Sequence, residues 1–223
     1  MHPLKLVIGN KNYSSWSLRP WFFLKNLGLD FEEELVYLYE NNTDENLSPY
    51  FSNKKVPLLI DSNDPENILE VWDSLAIIEY IADSSSQGWP KSGHARSIAR
   101  SLSAEMHSSF DALRNAMPMN CRKQFPDFVI SDDVQQDIDR IVSLWEFSSK
   151  NYASTGPWLL GEFSGADAMY APIVLRLNGY GAKLTGFAAD YVAMALENKY
   201  MKEWVEAGVK ETHIIDDDEI VLR

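Results

Sequence analysis

The sequence contains a single cysteine, Cys121, in 223 residues. No intramolecular disulfide, no Cys-X-X-Cys redox pair and no cysteine-built zinc site can form from it, which fits a reducing compartment. Long apolar runs are also missing. No stretch reaches the about 18 residues of a membrane span, and the apolar run in MHPLKLVIGN is too short for a secretory leader. Both absences lead us to expect a cytoplasmic location. Positive charge is scarce, with 20 Lys and Arg against 33 Asp and Glu, a formal net charge of −13. That balance argues against nucleic acid and anionic membrane surfaces, which call for clustered cations. There is no Gly-rich phosphate loop and no clustered ligand set, so no metal, nucleotide or flavin is expected.

Aromatic residues are plentiful, and seven of them are Trp, which points to a well-filled core, a stacking pocket, or both. Leu4 to Ile8 is a short apolar run ending at Gly9-Asn10 and reads as a buried strand. The segment Leu18 to Leu27 has near-helical apolar spacing, with Pro20 expected in the first turn and Gly28 as the stop. Phe31 to Leu38 alternates partly, as a second strand would. Val56 to Asp61 and Ile68 to Val71 form a strand pair around a turn, and Leu75 to Ala82 reads as a buried helix. Ser84 to Pro90 has linker composition.

Beyond the linker the strand signals stop. One long helix is expected over about residues 93 to 120, on the spacing of Ile98, Leu102, Met106, Phe110 and Leu113. A second is expected to open at Ser131 as N-cap with Asp132 and Asp133 behind it. A third is expected from Ser164, and a fourth over Tyr191 to Gly208. The acidic stretch Asp216 to Glu219 reads as a solvated tail. The expected organisation is an α/β domain over residues 1–84 and an all-helical domain over residues 92–223.

Three segments of the first domain carry chemistry. Asn12 to Arg19 joins the first strand to the first helix, the place where open α/β sheets hold ligands, and hydroxyls beside a helix N-terminus stabilise anions. Lys54-Lys55-Val56-Pro57 opens a strand with proline; a cis bond there would turn the backbone toward an extended ligand, although spacing alone favours trans. Asp73-Ser74 precedes the buried helix and suits the ammonium and carboxylate of an α-amino acid end. Taken singly, each segment reads more readily as a helix cap or an edge proline.

Together they resemble a known family. Ser14-Ser15-Trp16-Ser17-Leu18-Arg19, Lys55-Val56-Pro57-Leu58-Leu59-Ile60-Asp61 and Asp73-Ser74-Leu75-Ala76-Ile77-Ile78-Glu79-Tyr80-Ile81 resemble the N-terminal domain of cytosolic glutathione S-transferases. The style is that of bacterial-type, zeta-like members related to maleylacetoacetate isomerase. Phe163-Ser164-Gly165-Ala166-Asp167 resembles the capping segment of the family's core helix, with Ser164 and Asp167 as a capping box.

The resemblance implies a thioredoxin-like N-terminal domain followed by an all-α domain. It implies glutathione as co-substrate, its thiol held as thiolate by a serine hydroxyl for attack on a hydrophobic electrophile. Ser14 matches the catalytic serine, with Ser15 and Tyr13 one loop position away. Val56, with Pro57 cis, would meet the cysteinyl backbone of glutathione. Asp73 and Ser74 would hold its γ-glutamyl end, and Lys55 a carboxylate. It further implies a homodimer, a role in detoxification, and as alternatives a glutathione-dependent isomerase or a non-catalytic binding or regulatory protein.

The sequence departs from the zeta pattern at Trp16, where that class has Cys, at Leu18, where it has Trp, and at Asp73, where it has Gln. Trp16 either walls the electrophile pocket or packs beneath the loop. Met106, His107 and Phe110 are candidate pocket liners, against the commoner core reading. Arg114 and Arg176 are candidates for an acidic substrate, against the commoner solvated helix face. Cys121 reads as a buried small residue or an incidental thiol.

Overall fold

The computed structural model describes residues 3–153 and 156–220. Strand β1 (Leu4–Ile8) lies inside a four-stranded sheet of order β2-β1-β3-β4. It pairs parallel with β2 (Glu32–Leu35) and antiparallel with β3 (Leu58–Asp61), which pairs antiparallel with β4 (Leu69–Trp72). The register places Val7 opposite Leu58, and Leu58 opposite Trp72. β2 reads Glu-Glu-Glu-Leu, poor strand material by propensity. Its acids are matched by neighbours: Lys5 pairs with Glu32 and Glu34, and Glu33 accepts from Lys11 and the Trp21 indole. Tertiary charge pairing therefore overrides local preference at this edge.

Helix α1 (Ser15–Leu27) starts earlier than its apolar spacing suggests, so Pro20 lies in the second turn. Gly28 ends it in the left-handed region (φ 70°), as a C-terminal glycine can at little cost. A short α2 (Thr43–Leu47) precedes β3, and α3 (Ser74–Ser85) follows β4. α3 absorbs Ser84 and Ser85, which composition placed in the linker.

The rest of the described residues are mostly helical: α4 (Gly93–Ser108), α5 (Asp111–Ala116), α6 (Asp132–Tyr152), α7 (Gly165–Gly179), α8 (Gly186–Glu197) and α9 (Lys199–Lys210). The long helix expected over 93 to 120 is broken. Phe110 adopts φ 67°, and the Arg114 guanidinium takes the freed carbonyls of His107 and Ser109 at 3.4 and 3.3 Å. The helix expected over Tyr191 to Gly208 is two helices. Asn198 leaves helical backbone and its side chain caps α9, accepting from Tyr200 and Met201 N–H. Ser131 sits at the N-cap of α6 but makes no capping bond.

α7 is buried on nearly every side and packs against α1, α4 and α3. A Cβ at Gly165 would come within 2.6 Å of Trp89 and 2.9 Å of Ile78, so only glycine allows that approach. One continuous apolar core runs from Leu6 and Phe22 through Met169 and Tyr170 to Trp204. The two halves thus share a core, and the loop after β1 lies where they meet.

Candidate functional site

A cleft of about 790 Å³ opens beyond the carboxyl end of β1. Its walls include Ser14, Lys55, Val56, Pro57, Asp73 and Ser74, so residues from three separated segments converge on one space. A second cavity of about 260 Å³ lies alongside and shares Ser14, Trp16, Leu38 and Tyr39 with the first. Ser15 and Tyr13 face the second cavity.

Ser14 is the N-cap of α1, and its hydroxyl forms a 2.8 Å hydrogen bond with Ser17 Oγ. Ser17 Oγ in turn accepts from Gly9 N–H at 3.0 Å. In this arrangement Ser14 donates to Ser17, but hydroxyl hydrogens rotate; the reverse arrangement, with Ser17 donating to Ser14 Oγ, would leave the Ser14 hydrogen for a ligand. Ser15 Oγ, in the first turn of α1, accepts from Arg176 Nη2 at 3.4 Å. Tyr13 is otherwise engaged: its hydroxyl donates to Glu219 and accepts from Arg122, each at 2.5 Å. Desolvation and the Glu219 hydrogen bond raise its pKa above the ordinary phenol value.

Asp73 caps α3 from a left-handed backbone (φ 76°), a conformation that costs a non-glycine residue about 1–3 kcal/mol and concentrates at functional sites. Oδ1 accepts from Leu75 and Ala76 N–H, while Oδ2 lies 3.2 Å from His107 Nε2. Ser74 is buried and accepts from Arg19 Nη1 at 3.5 Å. Lys55 is exposed, and the Val56–Pro57 peptide bond is cis, against what spacing alone favours.

Trp16 walls both cavities. The guanidiniums of Arg19 and Arg114 lie over its ring at 4.2 and 4.8 Å, and His107 meets it edge-on at 5.4 Å. Arg19 is fully buried; desolvation, then the charges of Arg176 and Arg114, lower its pKa to about 9. Of the three suggested liners on the helical half, His107 faces the larger cleft, whereas Met106 and Phe110 are buried core residues.

Residues 13–84 match the family model described as the glutathione S-transferase N-terminal domain. A search of curated proteins found no match. Among solved structures, the chain resembles a glutathione transferase homologue from Burkholderia with bound glutathione. That match has 20% identity and a TM-score of 0.65, covering 92% of this chain and 97% of that one. A Tau class glutathione S-transferase from mango, Mangifera indica, matches at 17% identity and TM-score 0.65, covering 93% and 96%. A glutathione transferase from Pseudomonas putida, with one glutathione disulfide bound per subunit, matches at 21% identity and TM-score 0.61, covering 95% and 93%. The chain has the glutathione transferase fold.

Within that fold, several residues around the β1–α1 loop escaped the sequence reading. The segment Asp216 to Glu219 is a solvated tail only in its first half: Asp216 and Asp217 are exposed, whereas Asp218 and Glu219 are engaged. Asp216–Asp218 forms a 3-10 turn, Asp218 lines the second cavity, and Glu219 also accepts from Asn120 at 3.1 Å and pairs with Lys123. Glu211 holds the loop from behind, accepting from Lys11 N–H at 2.7 Å and Asn12 N–H at 3.0 Å. At Gly208 an added Cβ would sit 3.0 Å from Asn12 N, so α9 rests directly on this loop. Acidic residues after a last helix carry no pattern that distinguishes a tail from a latch. Cys121 is buried beside Lys11 O, and desolvation pushes its thiol up to about 12, which makes it unreactive.

The Glu211 contacts set a stability prediction. Glu211→Ala leaves two backbone donors without their acceptor, each costing about 1–3 kcal/mol where water cannot replace it. With the site partly buried, we expect about 2 kcal/mol lost in urea unfolding. Glu211→Gln, which keeps one acceptor oxygen, should lose less than half of that. Equal stability of all three proteins would show that the latch holds nothing.

Proposed function

We propose that the chain is a glutathione transferase that binds glutathione in the larger cleft and holds its sulfur as thiolate at Ser14. The convergence of Ser14, Val56, Asp73 and Ser74 on one cavity at the end of β1 carries this reading. Glutathione bound to a structure of the same fold from Burkholderia, and glutathione disulfide bound to one from Pseudomonas putida, support it.

Glutathione is an extended tripeptide with an amino-acid end, a central thiol and a glycyl carboxylate. Asp73 Oδ2 has one neighbour, His107, and remains half-exposed, so it can accept from the γ-glutamyl ammonium. Ser74, in the first turn of α3, offers its hydroxyl to the adjoining carboxylate, aided by the positive end of the helix. The Val56 backbone would pair with the cysteinyl unit, with Lys55 near a carboxylate. The sulfur then falls to the β1–α1 loop, where Ser14 and the first turn of α1 favour S⁻ over SH. The second domain contributes Arg114, Arg176 and the cavity beyond Trp16 for the electrophile.

The test is a calorimetric titration of glutathione into the wild-type protein and Asp73→Asn. The asparagine retains a capping oxygen for α3 and loses the charge that faces the ammonium. A charge-assisted hydrogen bond contributes about 1.5–3 kcal/mol, so affinity should fall about 10- to 100-fold. Absence of glutathione binding to the wild type would reject the function. An unchanged affinity in Asp73→Asn would reject the assignment of the γ-glutamyl end.

A further inference from the structure

Arg176 on α7 presents an anomaly. The residue is only 6% exposed, yet its Nε and Nη1 atoms have no hydrogen-bond partner. Nη2 reaches only the neutral Ser15 Oγ, at 3.4 Å. Among the described residues no carboxylate lies within the 4.0 Å of an ion pair, and Asp218 on the same cavity attracts it only across a longer gap. Buried guanidiniums are ordinarily paired, because an unpaired ion loses its hydration without replacement. Its pKa falls to about 10, through desolvation and then repulsion from Arg114, so it is charged at neutral pH. Arg176 lines the second cavity, and Arg114 lines it too, held in place by the carbonyls of His107 and Ser109.

Three further features define what could fill this space. An apolar cavity of about 150 Å³ takes up benzene, so about 260 Å³ accommodates one substituted ring. Trp16, Pro118 and Ile215 supply apolar wall for that ring. Asp218 is the one carboxylate lining the cavity among the described residues. Two arginines line the cavity against one aspartate, and the buried Arg19 guanidinium lies close behind Trp16, so the space carries an excess of positive charge that suits an anionic group. The guanidinium fork is also the geometry that carboxylates take in two-point contacts.

We propose that the second cavity is a carboxylate site, with Arg176 and Arg114 holding the acid group of a ring-sized, carboxylate-bearing electrophile beside Ser14. The inference rests on the reading of the larger cleft as the glutathione site and names the substrate class of the adjoining one. It narrows the hydrophobic electrophile that the resemblance implies to one bearing an acid group, using the two arginines that the sequence offered as candidates for an acidic substrate. An anionic co-substrate would supply the missing partner of Arg176, and its acid group would fix which end of the molecule faces the sulfur.

The test uses the full chain saturated with S-methylglutathione, which cannot react, and two inert probes of nearly equal shape, 4-nitrobenzoate and 4-nitrobenzamide. Binding is read by Trp fluorescence quenching and calorimetry. We expect the acid to bind at least tenfold more tightly than the amide. Arg176→Met should abolish that preference without changing amide affinity, Arg114→Met should reduce it severalfold, and Arg176→Lys should retain part of it. Since methionine removes an unpaired buried charge, Arg176→Met should fold at least as stably as the wild type; if it does not fold, Arg114→Met and Arg176→Lys carry the comparison. Equal binding of acid and amide by the wild type, or an acid preference that survives Arg176→Met, overturns the proposal. S-methylglutathione is titrated first, so the two readings fail separately. Lack of its binding beside a retained acid preference rejects the glutathione site alone, and its binding without acid preference rejects the carboxylate site alone.

Discussion

Ser14→Ala is expected to raise the pKa of enzyme-bound glutathione by about one to two units and to lower kcat/KM at pH 7 by about 10- to 100-fold. A hydrogen bond to a charged acceptor contributes about 1.5–3 kcal/mol, and each pKa unit corresponds to about 1.4 kcal/mol. In the proposed role Ser14 would stabilise only the anion in this way, so its removal should shift the thiol toward the value of about 8.5 for a free cysteine thiol. The sign fixes the pH dependence: the deficit is largest below the wild-type thiol pKa and closes above about pH 9, where both proteins hold thiolate. Thiolate absorbance of the complex, recorded across pH, measures the shift without an electrophile. Ser17→Ala should produce a smaller shift in the same direction, because Ser17 lies 2.8 Å from Ser14 Oγ and can orient its hydrogen toward sulfur. An unshifted pKa in Ser14→Ala, with glutathione still bound, would move the donor to Ser15, whose oxygen accepts from Arg176 and whose hydrogen is free. A wild-type complex whose thiol pKa equals that of free glutathione would instead favour a binding role without activation.

The parts of this site that were legible in the sequence are those where local chemistry dictates position. A polar loop after a buried strand, a Val-Pro strand start and an acidic residue before an apolar helix each have a physical reason to lie at the end of a sheet. Strand identity was readable for β1 and β3 because their apolar residues are continuous. It was imprecise for β2, where three glutamates are held by lysines and an indole that only the folded sheet brings near. Helix breaks were invisible for a similar reason. Phe110 continues the apolar spacing of α4, and what bends the chain there is an arginine four residues later folding back on carbonyls.

Arg19 and Arg176 show a second limit. Each interrupts an apolar stretch, and by composition an arginine on a helix belongs on the wet face. Both are buried, and both approach the loop that carries Ser14 and Trp16. The usable signal was their surroundings: Leu18-Arg19-Pro20-Trp21-Phe22 and Val174-Leu175-Arg176-Leu177 leave no polar face on which a charge could point outward. An arginine inside such a run has either a buried partner or a ligand.

The largest stability effect is expected at Asp167. Its carboxylate, in the first turn of α7, accepts from Ser164 N–H at 2.8 Å, Ser164 Oγ at 3.0 Å, Leu159 N–H at 3.0 Å and Tyr191 Oη at 3.1 Å. Asp167→Ala leaves all four donors inside the core without an acceptor, and a cost of about 3–5 kcal/mol follows. For a chain of this size each kcal/mol lowers Tm by about 2–4 °C, so a fall of about 10 °C or more is expected. Asp167→Asn separates the hydrogen bonds from the charge. Desolvation raises the Asp167 pKa to about 6, against about 3.9 unfolded, with the four hydrogen bonds pulling the other way. Because the folded pKa is the higher one, the stabilising contribution is full below about pH 4 and is lost as pH rises through about 6. Asparagine, neutral throughout, lacks this dependence. The stability advantage of the wild type over Asp167→Asn should therefore grow by about 1 kcal/mol between pH 7 and pH 5 in urea unfolding. A constant difference would mean that the carboxylate titrates alike in the folded and unfolded chains. A loss below 1 kcal/mol in Asp167→Ala would mean that water takes over the four donors, and that the joint between α7 and the preceding loop is not closed to solvent.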